Sequence, residues 1–484
     1  MIDVNVVGSG PNGLAAAVVL ARAGLSVQLT ERAPSAGGGL RTAEITLPGF
    51  RHDLCSAVHP SALASPFFRA FDLTRRVPFV APEISYAHPF DSGAAAVAYR
   101  DVDRTADALG VDGHAWAELF QPLLNRLDGV VAFTANQMLR WPDDAGAALF
   151  FAARVLEHGT VLGRPRFRGA AAPALLAGVA GYAPSRQPSL SAAGASLLLA
   201  AHAHAGGWGF PLGGAQAIAD ALLADFEAHG GRVQLNTDVR RPADLEASRV
   251  TLLDTSPTFL ASFAGTALPP GYQRALRRFR HGSGIFKVDF ALSGPVPWTN
   301  PEVQYAPSVH LGGTREEILL AAERVKNGGF PARPFVVATQ PSVLDPTRAP
   351  TGKQVLWAYT HVPPGSGVDM TESIIAQIER FAPGFRERIL RTATMSARSL
   401  PEHDPNYVGG DILGGELSLR QLIKRPVVGP RPWQTPVRGL YLCSSSTPPG
   451  PAVHGMNGFH AAALALRTDF GIRDIPALGL GPGL

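Results

Sequence analysis

Cysteine is almost missing: Cys55 and Cys443 are the only two in 484 residues. No CxxC occurs, which excludes a dithiol redox centre, a zinc knuckle and a disulfide framework. HExxH and GxSxG are absent as well, so metal-dependent hydrolysis and serine esterase chemistry have no residues to rest on. Charge is sparse and nearly balanced, with 43 Lys and Arg against 39 Asp and Glu for a formal net charge of +4. The densest basic stretch, Arg274, Arg277, Arg278 and Arg280, has the spacing of a solvated helix face, and no nucleic-acid-binding module is present. Long apolar runs are lacking too. The most apolar span, Ala192 to Ala205, is too short to cross a membrane and carries His202 and His204. No basic leader followed by an apolar run precedes the first strand. A cytoplasmic location is therefore expected, with peripheral contact to a membrane surface left open. At 46% hydrophobic, the chain has material for more than one core.

What is present is concentrated near the start. An apolar strand from Ile2 to Val7 runs into Gly8-Ser9-Gly10-Pro11-Asn12-Gly13, then an apolar helix stopped by Gly24, a second strand, and Glu31 at its end. In a dinucleotide site Gly8 permits the tight turn, Gly10 lets the backbone approach the pyrophosphate, and Gly13 lets helix and strand pack closely. The helix N-terminus then turns N–H groups and a partial positive charge toward the phosphates. Glu31 lies 18 residues past Gly13, where a carboxylate can bond ribose hydroxyls. A purely structural glycine turn is the alternative reading; strand before, helix after and acid at the right distance argue against it. The fingerprint alone does not choose between NAD and FAD. No second GxGxxG follows a strand in mid-chain, so a second dinucleotide domain is not expected.

One strand–helix–strand unit cannot bury itself, and later segments must complete its sheet. A helix is expected over Ala215 to His229, since Ile218, Leu222 and Phe226 share one face, followed by a strand over Arg232 to Thr237. A last strand, Gly439 to Cys443, precedes a helix from about Gly455 to Arg467. The intervening stretches differ in character. Residues 60–205 read as mostly helical, with helices over Trp116 to Val131 and Ala147 to Leu156. Residues 265–400 contain strands at Ile285 to Leu292 and Val355 to His361 and a helix at Thr371 to Phe381. The tail from Gly471 is Gly/Pro-rich and expected to be loose. The expected fold is α/β. Residues 1–70, 206–262 and 400–484 form a Rossmann-like nucleotide domain in several segments, and residues 71–205 and 263–399 an interleaved α+β substrate domain.

Several stretches carry a resemblance: GSGPNGLAAA with Glu31, the GGGLRT turn, GFRHDLCSAVHP, GGWGFPLGGAQAIADAL, PNYVGGDI and GLYLCSSSTPPGPAVHGMNGFHAAALAL. The chain resembles the phytoene-dehydrogenase-like FAD-dependent oxidoreductases, in the bacterial branch related to pyridine nucleotide-disulfide oxidoreductase domain-containing protein 2. The resemblance spans essentially the whole chain. It implies FAD in an extended form. Gly8, Gly10 and Gly13 would hold the pyrophosphate, Glu31 the adenosine ribose, and Arg32 would lie beside the adenine. Gly38, Gly39 and Arg41 would wrap the phosphate and ribityl region, and Val239 would touch the adenine. Ser444, Ser445, Gly455 and Met456 would approach the ribityl chain and the flavin N1/O2 edge. Two departures stand out: Ser444-Ser445-Ser446 replaces the family's acid, and Pro451-Ala452 stands where relatives often carry Gly-Gly.

Flavin accepts a hydride at N5 while the protein positions the substrate and handles protons. Three residues are candidates for that work. His454 precedes the last helix, whose dipole disfavours its charged form. Lys287 sits in an otherwise apolar strand, and flavoproteins of related architecture place a lysine over N5; the plainer reading is a strand-end lysine reaching solvent. His59 lies in the SAVHP turn; the plainer reading is a hydrogen-bonded turn residue. His202 and His204 read as packing or polar-face residues of a helix, and Asp53 as a turn acceptor. The expected activity is hydride removal from a lipophilic small molecule, in family terms forming C=C, with oxygen or a quinone as acceptor. A flavin amine oxidase and a non-catalytic flavin-binding scaffold are the alternatives.

Overall fold

The computed structural model describes residues 2–184 and 188–481, apart from the side chains of 164 and 165. The chain opens with β1 (Ile2–Val7), α1 (Pro11–Arg22) and β2 (Val27–Thr30). Pro11 at the first helical position forfeits no intrahelical bond, and α1 ends where Gly24 takes φ +81°, a left-handed conformation that glycine adopts without penalty. An excursion follows, with β3 (Ile84–Pro89), β4 (Ala95–Tyr99) and several helices, among them α2 (Ala145–His158) and α3 (Leu190–Ala205). The chain then returns through α4 (Gln216–Ala228), β5 (Arg232–Gln234) and β6 (Ser248–Leu253). A second excursion holds β7 (Gly284–Leu292), β8 (Ser308–Leu311), β9 (Val336–Thr339), β10 (Gln354–Val362) and β11 (Ile389–Met395). The last piece is β12 (Leu440–Leu442) and α5 (Met456–Ala465).

The distant pieces assemble as the burial argument requires. One sheet has the order β12-β6-β1-β2-β5, with every pairing parallel. Its strands are apolar because a parallel sheet is covered on its faces. Helices α1, α4 and α5 belong to one core with it. The contact between α1 and α5 is backbone-close: a methyl added at Gly458 would sit 1.8 Å from the Asn12 carbonyl oxygen.

The second sheet has the order β11-β7-β10-β9-β8-β3-β4 and is antiparallel except between β8 and β3. Side chains alternate between its faces. One face buries Val288, Phe290, Val309, Ala338 and Ala358 in an apolar core. Lys287, Asp289, Ser308, Thr339, Trp357 and Tyr359 occupy the alternate positions, which are also buried.

Three elements depart from the sequence reading. The helix expected over Trp116 to Val131 is two, Gly113–Leu124 and Leu127–Thr134. Pro122, inside the first, has no N–H and crowds the turn before it, and the helix ends two residues later. The strand expected to reach Thr237 stops at Gln234. Beyond it Asn236 turns left-handed (φ +54°), and the N–H groups of Asn236 and Thr237 bond the carbonyls of Ala33 and Glu31. The tail expected to be loose is tied down: Arg22 donates to the Ala477 carbonyl (2.8 Å), Leu480 N–H bonds Asp72 (3.0 Å), and Leu478 is buried. Residues 482–484 of that tail lie outside the described residues. Among the described residues no helix is long and apolar enough to cross a membrane.

Candidate functional site

A cavity of about 880 Å³ runs from the glycine turn to the second sheet. All the cofactor and proton-handling candidates from the sequence line it except Gly13, Gly455 and Lys287. Its first end is the turn between β1 and α1. A methyl at Gly10 would lie 2.6 Å from Asp254 Oδ2, and one at Gly38 would lie 2.9 Å from the Gly10 Cα, so the bare backbone is needed there. Gly13 sits behind the wall, where a methyl would meet the Gly8 carbonyl oxygen at 2.1 Å, the close packing its position demanded. Glu31 is held by Ser9 N–H (2.9 Å), Ser9 Oγ (2.6 Å) and Ala33 N–H (2.8 Å). Arg32 donates to the Glu402 carbonyl (2.8 Å), and Arg41 to the carbonyls of Gly38 (3.1 Å) and His403 (3.0 Å). Buried Asn12 Oδ1 and Thr255 Oγ1 also line this end and have no hydrogen-bond partner among the described residues. Such groups are costly unless a ligand or water meets them. Together with the glycine cradle they fit a dinucleotide.

Two acids at this end, buried Asp254 and half-buried Asp404, escaped the sequence reading. Asp254, directly after β6, accepts from Gly13 N–H (2.8 Å) at the start of α1. Burial, with Asp404 and Glu31 nearby, pushes its carboxyl up to about 8. Asp404 is likewise raised by burial. The available signal for Asp254 was an acid ending an apolar strand; nothing local said that this strand would stop against the glycine turn.

Val239 is buried on the wall beside this end, and Ser444 and Ser445 follow β12. Ser444 Oγ donates to the Thr255 carbonyl (2.6 Å), joining the ends of β12 and β6. Met456 begins α5 and lines the cavity. Gly455 does not: its φ is +67°, and a methyl there would meet Phe67 at 2.6 Å and Ala15 at 3.1 Å, so it serves the packing of α5 against α1.

The three candidates for proton work fare differently. His454 lines the cavity, but its Nδ1 accepts the Met456 N–H (3.1 Å), which leaves the proton of the neutral ring on Nε2. Burial, with His460 beside it, lowers its pKa to about 4. Lys287 is mid-strand and buried rather than at a strand end. Its Nζ is held by Asp289 (2.5 and 2.7 Å) and the Asp53 carbonyl (3.0 Å), away from the cavity wall. Asp53 is the acceptor expected of it, bonded by Thr42, Ala215 N–H and Arg348. His59 is buried on the cavity wall, its Nε2 has no partner among the described residues, and burial lowers its pKa to about 4. His204 is a packing residue, bonded to Trp116 (3.1 Å) and to the Tyr99 carbonyl (2.8 Å). His202 lines the cavity.

The rest of the lining includes an aromatic floor and an apolar arm. Trp357 and Tyr359 are stacked side by side, ring centroids 5.7 Å apart, and Tyr182 and Trp208 complete the floor. Phe151 and Val155 of α2 and Leu198 and Leu199 of α3 wall the arm. Every acid and every Lys or Arg on the described wall, namely Glu31, Arg32, Arg41, Asp238, Asp254 and Asp404, belongs to the dinucleotide end.

Comparison with known proteins agrees with this geometry. Residues 12–380 match the family described as flavin containing amine oxidoreductase. Pyridine nucleotide-disulfide oxidoreductase domain-containing protein 2 of Rattus norvegicus is 26% identical over 557 aligned positions, covering 96% of this chain and 93% of that protein. A neurosporene-forming phytoene desaturase of Rhodobacter capsulatus is 25% identical over 293 positions, 51% of each chain. In overall fold the chain resembles a putrescine oxidase variant redesigned in its cofactor binding, with a TM-score of 0.62, 17% identity and coverage of 97% and 98%.

Proposed function

Because the chain belongs to the flavin-containing amine oxidoreductase family and is an FAD-dependent oxidoreductase, we propose that it removes hydride from a lipophilic small molecule, forming a C=C bond, with oxygen or a quinone as final acceptor. The observation that carries this reading is the charge distribution of the cavity wall. An ammonium substrate desolvated in an apolar arm calls for a carboxylate, and the described acids of the wall lie at the dinucleotide end. The partial likeness to a phytoene desaturase supports the same reading.

FAD, when bound, supplies the hydride acceptor. The glycine turn, Glu31 and Val239 would hold its adenosine half, and Ser444, Ser445 and Met456 its ribityl and ring end. The apolar arm excludes water and aligns a hydrocarbon chain. We assign proton handling to His59: its ring is neutral at physiological pH and its Nε2 is uncommitted among the described residues. His454 donates from Nε2 rather than accepting, and Lys287 positions the second sheet against residues 52–53 through Asp289 and Asp53.

An amine oxidase is the second reading, favoured by the family description and by the stacked Trp357–Tyr359 pair. Anaerobic mixing of the holoenzyme with lipophilic alkenes, carbonyl compounds and amines separates the two. Bleaching of the flavin with a product lighter by two hydrogens supports desaturation. Bleaching only by amines, with an aldehyde or ketone after hydrolysis, overturns it in favour of the second reading. A flavin that none of them reduces favours the scaffold.

A further inference from the structure

A row of buried polar side chains crosses the second sheet and ends on the cavity floor. Tyr86, Ser308, Thr339 and Trp357 stand opposite one another on four adjacent strands, β3, β8, β9 and β10. Residues directly opposite share a face and lie roughly 5 Å apart at Cβ. All four are buried; Tyr86 Oη, Thr339 Oγ1 and Trp357 Nε1 have no hydrogen-bond partner among the described residues, while Ser308 interacts with the Tyr182 hydroxyl. Buried polar groups are nearly always paired, so an unpaired one on a cavity wall is available to a ligand. Thr339 and Trp357, only 1% and 6% exposed, lie on the cavity wall. Trp357 is opposite Asp289 on β7, but both carboxylate oxygens of Asp289 are taken by Lys287.

We propose that Thr339 and Trp357 form a subsite for an uncharged, hydrogen-bond-accepting oxygen of the substrate, a carbonyl or hydroxyl, so that the substrate is an oxygenated lipophile rather than a plain hydrocarbon or an amine. This rests on the reading of the cavity as a substrate site. The indole N–H only donates, and the threonine hydroxyl can donate beside it. An ammonium could donate to the threonine hydroxyl but would leave the indole N–H facing a like donor. A carboxylate would find no unpaired cation, because the Lys287 ammonium is already satisfied by Asp289. A neutral oxygen meets the site without leaving a charge buried.

Specificity built from buried donors is strong because an analogue without the oxygen leaves them unpaired. Binding to the holoenzyme, read as perturbation of the flavin absorption, is measured for a medium-chain methyl ketone, its secondary alcohol, the matched alkene and the matched primary amine. The ketone or alcohol should bind at least about tenfold more tightly than the alkene. Thr339→Val and Trp357→Phe should each erase most of that preference by weakening the ketone and alcohol far more than the alkene, and Thr339→Ser should restore it. Flavin content and melting temperature identify any variant that fails to fold, and Thr339→Ser then decides by keeping the preference. Equal binding of ketone and alkene, preference for the amine, equal weakening of every ligand by Thr339→Val, or no binding of any of the four overturns the proposal. An oxygen preference without substrate oxidation retains the subsite and refutes the desaturase reading. Oxidation without an oxygen preference does the reverse.

Discussion

Asp254→Asn should stabilise this protein at alkaline pH and leave it nearly unchanged in acid. The wild-type carboxyl is buried at the start of α1, and burial with Asp404 and Glu31 raises it from 3.8 to about 8. Two effects compete. The helix N-terminus favours the ionised form by about 0.3–2 kcal/mol. Burial beside two further acids opposes it, and the raised pKa says that burial wins. Between pH 4 and 8 the native state therefore holds a proton that the unfolded chain releases, so stability falls as pH rises through that window and levels off above it. At 1.36 kcal/mol per unit, the displacement between pH 5 and pH 9 is worth at most about 4 kcal/mol. Asparagine keeps an oxygen for the Gly13 N–H and cannot ionise. Urea unfolding of the apoproteins at pH 5, 7 and 9 should show the variant's advantage growing by a few kcal/mol toward pH 9. The FAD diphosphate adds negative charge at the same end of the cavity, so wild-type FAD affinity should weaken above pH 8 while that of Asp254→Asn stays flat. Parallel loss of stability in both proteins across the range, or a variant weaker at every pH, would refute the reasoning.

Gly458→Ala drives a methyl into the Asn12 carbonyl and should cost about 3 kcal/mol or more, seen as a lower melting temperature and a protein purified with little flavin. Lys287→Met strands Asp289 and should destabilise by about 3–5 kcal/mol. Adding Asp289→Asn should recover most of that stability and the turnover with it, whereas a lysine acting directly on the flavin would leave the double variant as slow as the single. His59→Phe should lower kcat/KM by about 10²-fold or more, with His454→Asn changing it less than about tenfold. Because His59 titrates near 4, the pH profile of kcat/KM should show no histidine limb between pH 5 and 8; a limb near 6.5 that His59→Phe removes would contradict its burial.

How far the sequence could be read depended on the range of the interaction. The glycine turn, the stop at Gly24 and the helix of Ile218, Leu222 and Phe226 are set by neighbours a few residues away, and they stand as the pattern dictates. The strand after that helix was read too long because its end is decided by the carbonyls of Glu31 and Ala33, about two hundred residues earlier. The loose tail was read from Gly and Pro content alone, while Arg22 and Asp72 hold it in place. Lys287 shows the same limit: an apolar strand with one lysine suggests a strand-end lysine or a catalytic ammonium, and although Asp289 stands two residues away on the same face, only the arrival of Asp53 and Trp357 over both makes the ion pair a buried one.

By itself the sequence determined the dinucleotide unit, because a turn, a helix dipole and a strand-end acid are local chemistry carried on adjacent residues. Tertiary structure alone decided the rest of the site. It set Asp254 against the turn, buried Gly455 in helix packing rather than on the cavity wall, and lined up Tyr86, Ser308, Thr339 and Trp357. Those residues meet through strand register between segments far apart in the chain, and register depends on which strands find each other as the sheet closes.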